Sequence, residues 1–123
     1  MSGRDRFQAL AFGLNAETAA ALWLRLKFYR IHAQRYRIRE REIDIVAQRG
    51  DTIAFVEVKA RPTLEEAAFA ISPQKRRRMS QAARHWIAMH PWAANRTLRG
   101  DALLVAPGRL PQHVLGAVEL DLG

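Results

Sequence analysis

A chain of 123 residues suffices for one compact domain and is too short for two. A hydrophobic fraction of 49% and a charged fraction of 26% are globular averages that exclude wholesale disorder, and no apolar run approaches the roughly 20 residues a bilayer span needs. With no Cys, disulfide scaffolds, cysteine nucleophiles and thiolate zinc sites are excluded, while twenty Lys and Arg against twelve Asp and Glu give a net charge of +8, which favours a polyanionic partner.

In chain order, residues 1–12 are expected to form an arm ahead of a single domain over 13–123. The start of the chain shows no basic stretch leading into an apolar segment, so a soluble, cytoplasmic protein without membrane contact is expected. Asn15 can cap a helix to about Lys27, with Glu17 in its first turn and Leu22, Trp23 and Leu26 at helical spacing. From Phe28 the pattern changes to short β-rich runs, with Ile31, Ala33, Tyr36 and Ile38 among arginines and a break near Arg39 to Arg41. Glu42 to Gln48 and Thr52 to Ala60 flank Arg49-Gly50 and predict a hairpin, the glycine supplying the positive φ of a tight turn.

After Pro62, an acidic segment over Leu64 to Ile71 leads to Ser72-Pro73, a cap followed by the proline favoured at the first helical position. The helix should run to about Met89, burying Met79, Ala82, Ala83, Trp86 and Ile87, and end at His90-Pro91. Asp101 to Ala106 and His113 to Leu120 predict two further strands. The order is helix, three strands, helix, two strands: an α/β fold with a mixed central sheet and helices packed on it.

The positive charge is clustered. Between Arg25 and Arg41 stand seven cations and one acid, Glu40; between Lys75 and Arg84 stand five cations and no acid. Nucleic acid is the partner such clusters suit best, ahead of a merely solvated face or an anionic membrane. Lys75, Arg76, Arg77 and Arg78 would occupy the first turn of the second helix, where unpaired amides already carry positive charge, so stability alone would place acids there. A phosphate suits that terminus. Neutralisation by Glu65 and Glu66 is the competing explanation.

The hairpin carries charge where a purely structural strand would carry apolar residues. Glu57 and Lys59, two apart, share a face. With Arg49-Gly50 as a two-residue loop, Asp44 lies opposite Phe55 and one diagonal step, about 7 to 8 Å, from Glu57 on the same side. Two carboxylates there could hold Mg²⁺, which takes carboxylate and water oxygens and leaves sites open for a phosphate oxygen. Lys59 beside them could orient or deprotonate a water and offset charge during phosphodiester hydrolysis. A buried salt bridge of Glu57 with Lys59, or of Asp44 with a nearby arginine, explains the same residues without chemistry. The histidines (His32, His85, His90, His113) lack zinc-ligand spacing and read as structural or surface groups, and Ser72 as a cap.

Gly13-Leu-Asn-Ala-Glu17 with Ala20 and Leu24, Tyr36-Arg37, Glu42-Ile-Asp44-Ile-Val, Phe55-Val-Glu57-Val-Lys59-Ala-Arg61 and Lys75 opening a basic helix resemble the YraN family, also called UPF0102, from Gly13 to about Ala117. That family is similar to a small branch of the PD-(D/E)XK nuclease superfamily, whose archaeal Holliday-junction resolvases share this element order. The resemblance implies a restriction-endonuclease-like core and a metal-dependent endonuclease acting on structured or branched DNA, with Mg²⁺ or Mn²⁺. It further implies Asp44 and Glu57 as metal ligands, Lys59 as the water-activating lysine, and Glu17 as the carboxylate completing the acidic cluster. Arg35, Arg37, Arg61 and the run Lys75 to Arg78 would then contact nucleic acid, and a homodimer is the form such resolvases tend to take. Three positions depart from the family's usual pattern: Ala16 and Arg41 stand where Gly is usual, and Arg35 where Asn is usual. A nucleic-acid-binding module that keeps the fold without chemistry is the main alternative, and an assembly protein contacting acidic protein a third.

Overall fold

The computed structural model describes residues 15–68 and 71–123, so the arm expected over 1–12 lies outside the described residues. Helix α1 (Ala16–Leu26) begins where Asn15 Oδ1 accepts the Thr18 N–H at 2.8 Å, with Glu17 in the first turn. It ends in a Schellman motif. Phe28 takes the left-handed conformation (φ 68°), its N–H reaches Arg25 O, and the Tyr29 N–H reaches Leu24 O at 2.9 Å. Tyr29 and Leu24, the residues whose side chains should meet in such a motif, are both buried in one cluster.

Strands β1 (Arg30–Ile38), β2 (Arg41–Arg49) and β3 (Thr52–Ala60) form an antiparallel meander. A crossover through α2 (Leu64–Ala68), α3 (Pro73–Met89) and a 3₁₀ turn (Pro91–Asn95) brings β4 (Thr97–Val105) parallel to β3. Strand β5 (Gln112–Val114) pairs antiparallel with β4, giving the order β1-β2-β3-β4-β5. The fold is thus α/β with a mixed sheet and helices packed on it, consistent with a restriction-endonuclease-like core. Among the described residues no helix is long and apolar enough to cross a membrane.

The sheet separates two cores. On one face Ala20, Ala21 and Leu24 of α1 pack with Ile45, Ala47, Ala54, Val56 and Leu103. On the other, Ala82, Ala83 and Trp86 of α3 pack with Val46, Ile53 and Phe55. Met79, Ala82, Ala83 and Trp86 of α3 are buried as the sequence pattern predicts while Ile87 is only half-buried, and Ser72 Oγ accepts the Lys75 N–H at 3.1 Å. In α1 the fully buried positions are mostly alanines, while Leu22, Trp23 and Leu26 are half-buried, because small side chains let this helix lie close on the sheet.

Three expectations are corrected. The hairpin loop is Gly50-Asp51 rather than Arg49-Gly50, since Arg49 pairs with Thr52. Gly50, at φ 59°, takes the first central position, where type II′ turns favour glycine. Strand β4 starts at Thr97, its edge masked in sequence by Arg99 and Asp101. Strand β5 stops at Val114, because Gly116 (φ 68°) turns the chain and Val118 N–H bonds Gly100 O at 3.1 Å. A Cβ on Gly100 would lie 2.3 Å from Val118 O, so only glycine admits that crossing.

Candidate active site

Moving the loop by one residue slides the β2–β3 register by two, which preserves which side chains share a face. Continuing the observed pairs from Ile45–Val56 by one residue sets Asp44 directly opposite Glu57 rather than diagonal to it. The ladder itself stops there. Ile43 packs in the α3-side core and Ile45 in the α1-side core, so strict alternation breaks at Asp44. The Asp44 Oδ2 then accepts the Val58 N–H at 2.8 Å. An irregularity of this kind re-aims a side chain, and here the re-aimed group is a carboxylate.

Asp44 and Glu57 are both buried, Glu57 at 1% exposure. Their side chains lie close enough to share a proton, and the Asp44 carboxyl is pushed up to about 7, first by burial and then by the Glu57 charge, against the opposing effect of the Val58 N–H. Lys59 Nζ lies 3.2 Å from Glu57 Oε1, and Lys75 Nζ of α3 lies 3.4 Å from the same oxygen. Glu57 Oε2 is buried and has no hydrogen-bond partner. A buried carboxylate oxygen without a fixed donor is costly in a folded protein, and the proton that Asp44 retains beside Glu57 is what the metal-free pair has to offset that cost.

The remaining predicted residues distribute as follows. Glu17 does not join the pair: its carboxylate is bound by Arg35 Nε, and among the described residues no group of three or more acids or histidines is arranged to hold a metal ion. Arg35 sits at positive φ (53°), a conformation Asn tolerates better, and its side chain is long enough to reach Glu17 while its guanidinium also senses Glu42 and Asp44. Arg37 pairs with Glu42 at 3.3 Å, and Arg61 is exposed with its guanidinium on Ala60 O at 2.7 Å. Arg76 and Arg77 line an open groove of about 640 Å³ with Ser80, Gln81, Arg84 and Asp121. Arg78 is exposed, and no ion pair joins Glu65 or Glu66 to the basic run among the described residues.

The model described as "Uncharacterised protein family UPF0102" matches residues 16–105. The chain belongs to the UPF0102 family. A UPF0102 protein of Methylocella silvestris is 63% identical over 119 residues, covering 97% of this chain and 96% of its own length. Those of Methylobacterium nodulans and Bradyrhizobium diazoefficiens are 56% and 50% identical over 120 and 115 residues, covering 98% and 94% of this chain and 93% and 86% of their own lengths. The span matched to UPF0102 contains Glu17, Asp44, Glu57, Lys59 and Lys75 and ends before β5.

Two features of this UPF0102 chain escaped the sequence reading. Lys75, assigned to phosphate contact, reaches Glu57; the signal was its place in the first turn of α3, but the crossover that carries α3 back over the sheet was not legible. Asp101, taken only as the start of a strand, is fully buried at the centre of a polar network with Arg99 and His113. The i, i+2 spacing of Arg99 and Asp101 on a strand could have shown that they share a face.

Proposed function

We propose that this UPF0102 protein is a metal-dependent endonuclease that hydrolyses phosphodiester bonds of structured or branched DNA. The observation that carries the reading is the unpartnered Glu57 Oε2, buried beside an Asp44 whose carboxyl is driven toward its protonated form. Both neighbouring ammonium groups stand on Glu57 Oε1, which among the described residues leaves Glu57 Oε2 and the Asp44 carboxyl without a cation of their own, and Mg²⁺ or Mn²⁺ held by Asp44 and Glu57 would take the place of the proton that Asp44 retains. One or two carboxylates, with water and phosphate oxygens, make a usual Mg²⁺ set. When bound, the ion polarises the scissile phosphate and makes an attacking water more acidic.

The chain's own groups would do the rest. Lys59 Nζ, 3.2 Å from Glu57 Oε1, orients the water and offsets the negative charge that builds on the phosphoryl oxygens as the new P–O bond forms and the leaving oxygen departs. Lys75 Nζ, on the same oxygen, neutralises Glu57 when no cation is present and can turn to a phosphate. Glu17 acts through Arg35, holding that guanidinium on the Asp44 side. Arg37, Arg61 and the exposed Arg76, Arg77 and Arg78 grip flanking phosphates, and the protein works in the cytoplasm with its DNA.

The second reading, a nucleic-acid-binding module without chemistry, draws on the two ammonium groups at Glu57 Oε1, which neutralise that carboxylate without a metal. Purified chain incubated with branched and with linear DNA, in Mg²⁺ or Mn²⁺ and then with EDTA, separates the two. The nuclease reading expects cutting of the branched substrate that EDTA stops and Glu57→Gln abolishes. Binding without cutting under every condition would establish the module.

A further inference from the structure

A second polar cluster lies on the opposite face of the sheet. Arg99 and Asp101 pair with Ala54 and Val56, and His113 with Leu103, all members of the α1-side core, so their side chains stand on that face. Arg49 follows Ala47 by two residues and shares it. Asp101 is fully buried and saturated: it accepts Arg99 Nε at 2.8 Å and Nη2 at 2.9 Å, His113 Nε2 at 2.7 Å and the Gly116 N–H at 2.9 Å. Lys27 Nζ lies 2.7 Å from His113 Nδ1, so the ring that accepts from Lys27 carries its proton on Nε2, toward Asp101. Arg99 Nη2 also donates to Tyr29 OH at 2.8 Å, and the Arg49 guanidinium stands 5.9 Å from the Tyr29 ring centre.

The charges do not balance. Lys27, Arg49 and Arg99 gather around the Tyr29 and His113 rings with one carboxylate, Asp101, among them, and its hydrogen-bonding capacity is already taken up by Arg99, His113 and Gly116. The Lys27 ammonium meets an imidazole nitrogen in place of an acid, and among the described residues Arg49 meets no carboxylate. Burial and then the Arg49 charge hold the Lys27 pKa below its ordinary value, more than Asp101 restores it. The α1 C-terminus accounts for one cation there through the helix dipole, but not for Arg49 and Arg99 beside it.

We infer that Lys27, Arg49 and the Tyr29 hydroxyl form a binding site for a phosphate group, with Arg99 held in place by Asp101. A phosphate carries the charge the cluster lacks, and its oxygens can take the planar guanidinium of Arg49 and the ammonium of Lys27 together. The inference stands apart from the cleavage chemistry, which sits on the other face. The phosphate could belong to a nucleic-acid backbone or be free in solution.

Titration of inorganic phosphate into the full chain, against chloride at matched ionic strength, tests this by NMR of the His113 ring and the arginine Nε–H groups. Saturable shifts are expected at millimolar phosphate. Arg49→Gln and Lys27→Gln should each weaken the affinity ~10-fold or more, the scale of one charge-assisted hydrogen bond. Arg49 is exposed and, among the described residues, its side chain makes no hydrogen bond, so an unaltered melting temperature in that variant separates lost binding from lost fold. A single-stranded oligonucleotide that displaces the phosphate from the same resonances identifies the source as nucleic acid, and one that leaves them in place identifies free phosphate. No shift with phosphate, or the same affinity in wild type and both variants, would overturn the inference.

Discussion

Replacing Asp44 with Asn should change how the metal-free protein's stability depends on pH. In the native state the Asp44 carboxyl titrates near 7, against 3.8 in an unpaired state. Between those values the folded chain holds a proton that the unfolded chain has released, so stability falls as pH rises from about 4 to about 7 and levels off above. A shift of about 3 units at ~1.4 kcal/mol each gives at most about 4 kcal/mol, an upper limit because Glu57 shares the titration. Asn keeps an oxygen for the Val58 N–H and offers an NH₂ to Glu57, so it mimics the protonated acid at every pH. Near pH 4, where the unfolded carboxyl is also largely protonated, the two proteins should therefore melt most nearly alike. At pH 8 in EDTA, Asp44→Asn should melt higher by on the order of 10 °C, since one kcal/mol is worth about 4 °C in a chain of this size. Thermal unfolding of both proteins from pH 4 to 8 measures the difference. A difference that does not change with pH would refute the account of Asp44.

Lys59→Ala should reduce cleavage by a factor of roughly 100 to 10,000, the range for a positioned proton-transfer group, while metal binding persists; kinetics beside a Mn²⁺ titration check both. Arg76→Gln with Arg77→Gln should flatten the slope of log K for DNA against log salt by up to about 0.9 per lost phosphate contact and leave the melting temperature unchanged or raised, because both cations stand at the positive end of α3. Phe28→Gly should stabilise the chain by about 1 kcal/mol, measured by urea unfolding, since Phe28 is 83% exposed and held at positive φ. A lower midpoint would mean that the Phe28 side chain contributes more than its backbone conformation costs.

Where local chemistry decides, the sequence was a reliable guide. Ser72-Pro73 opens α3 as a cap and first residue must, and the Met79, Ala82, Ala83, Trp86 stripe is buried. Asp44 and Glu57 share a face as inferred, although the loop was misplaced, because the error of two residues is invisible to alternation. What failed depended on contacts distant in sequence. The α1 face was assigned to its largest apolar residues, but close approach to the sheet selects alanines there. Strand β5 was drawn too long because the packing of Val118 against Gly100 cannot be read from local pattern. At the site itself, sequence paired Glu57 with Lys59, while the contact of Arg35 with Glu17 and the delivery of Lys75 by a crossover of more than thirty residues between Ala60 and Thr97 depend on tertiary structure.

The claim on which the functional account rests is that Asp44 and Glu57 form a divalent-cation site. Calorimetric titration of Mn²⁺ into the full chain at pH 8, where competition from the shared proton is smallest, addresses it without reference to any substrate. The account predicts saturable binding by the wild type, weakened at least ~10-fold in Glu57→Gln, a loss no smaller than removing even an outer partner of a metal ligand causes. Absence of binding by the wild type, or equal binding by Glu57→Gln, would contradict it.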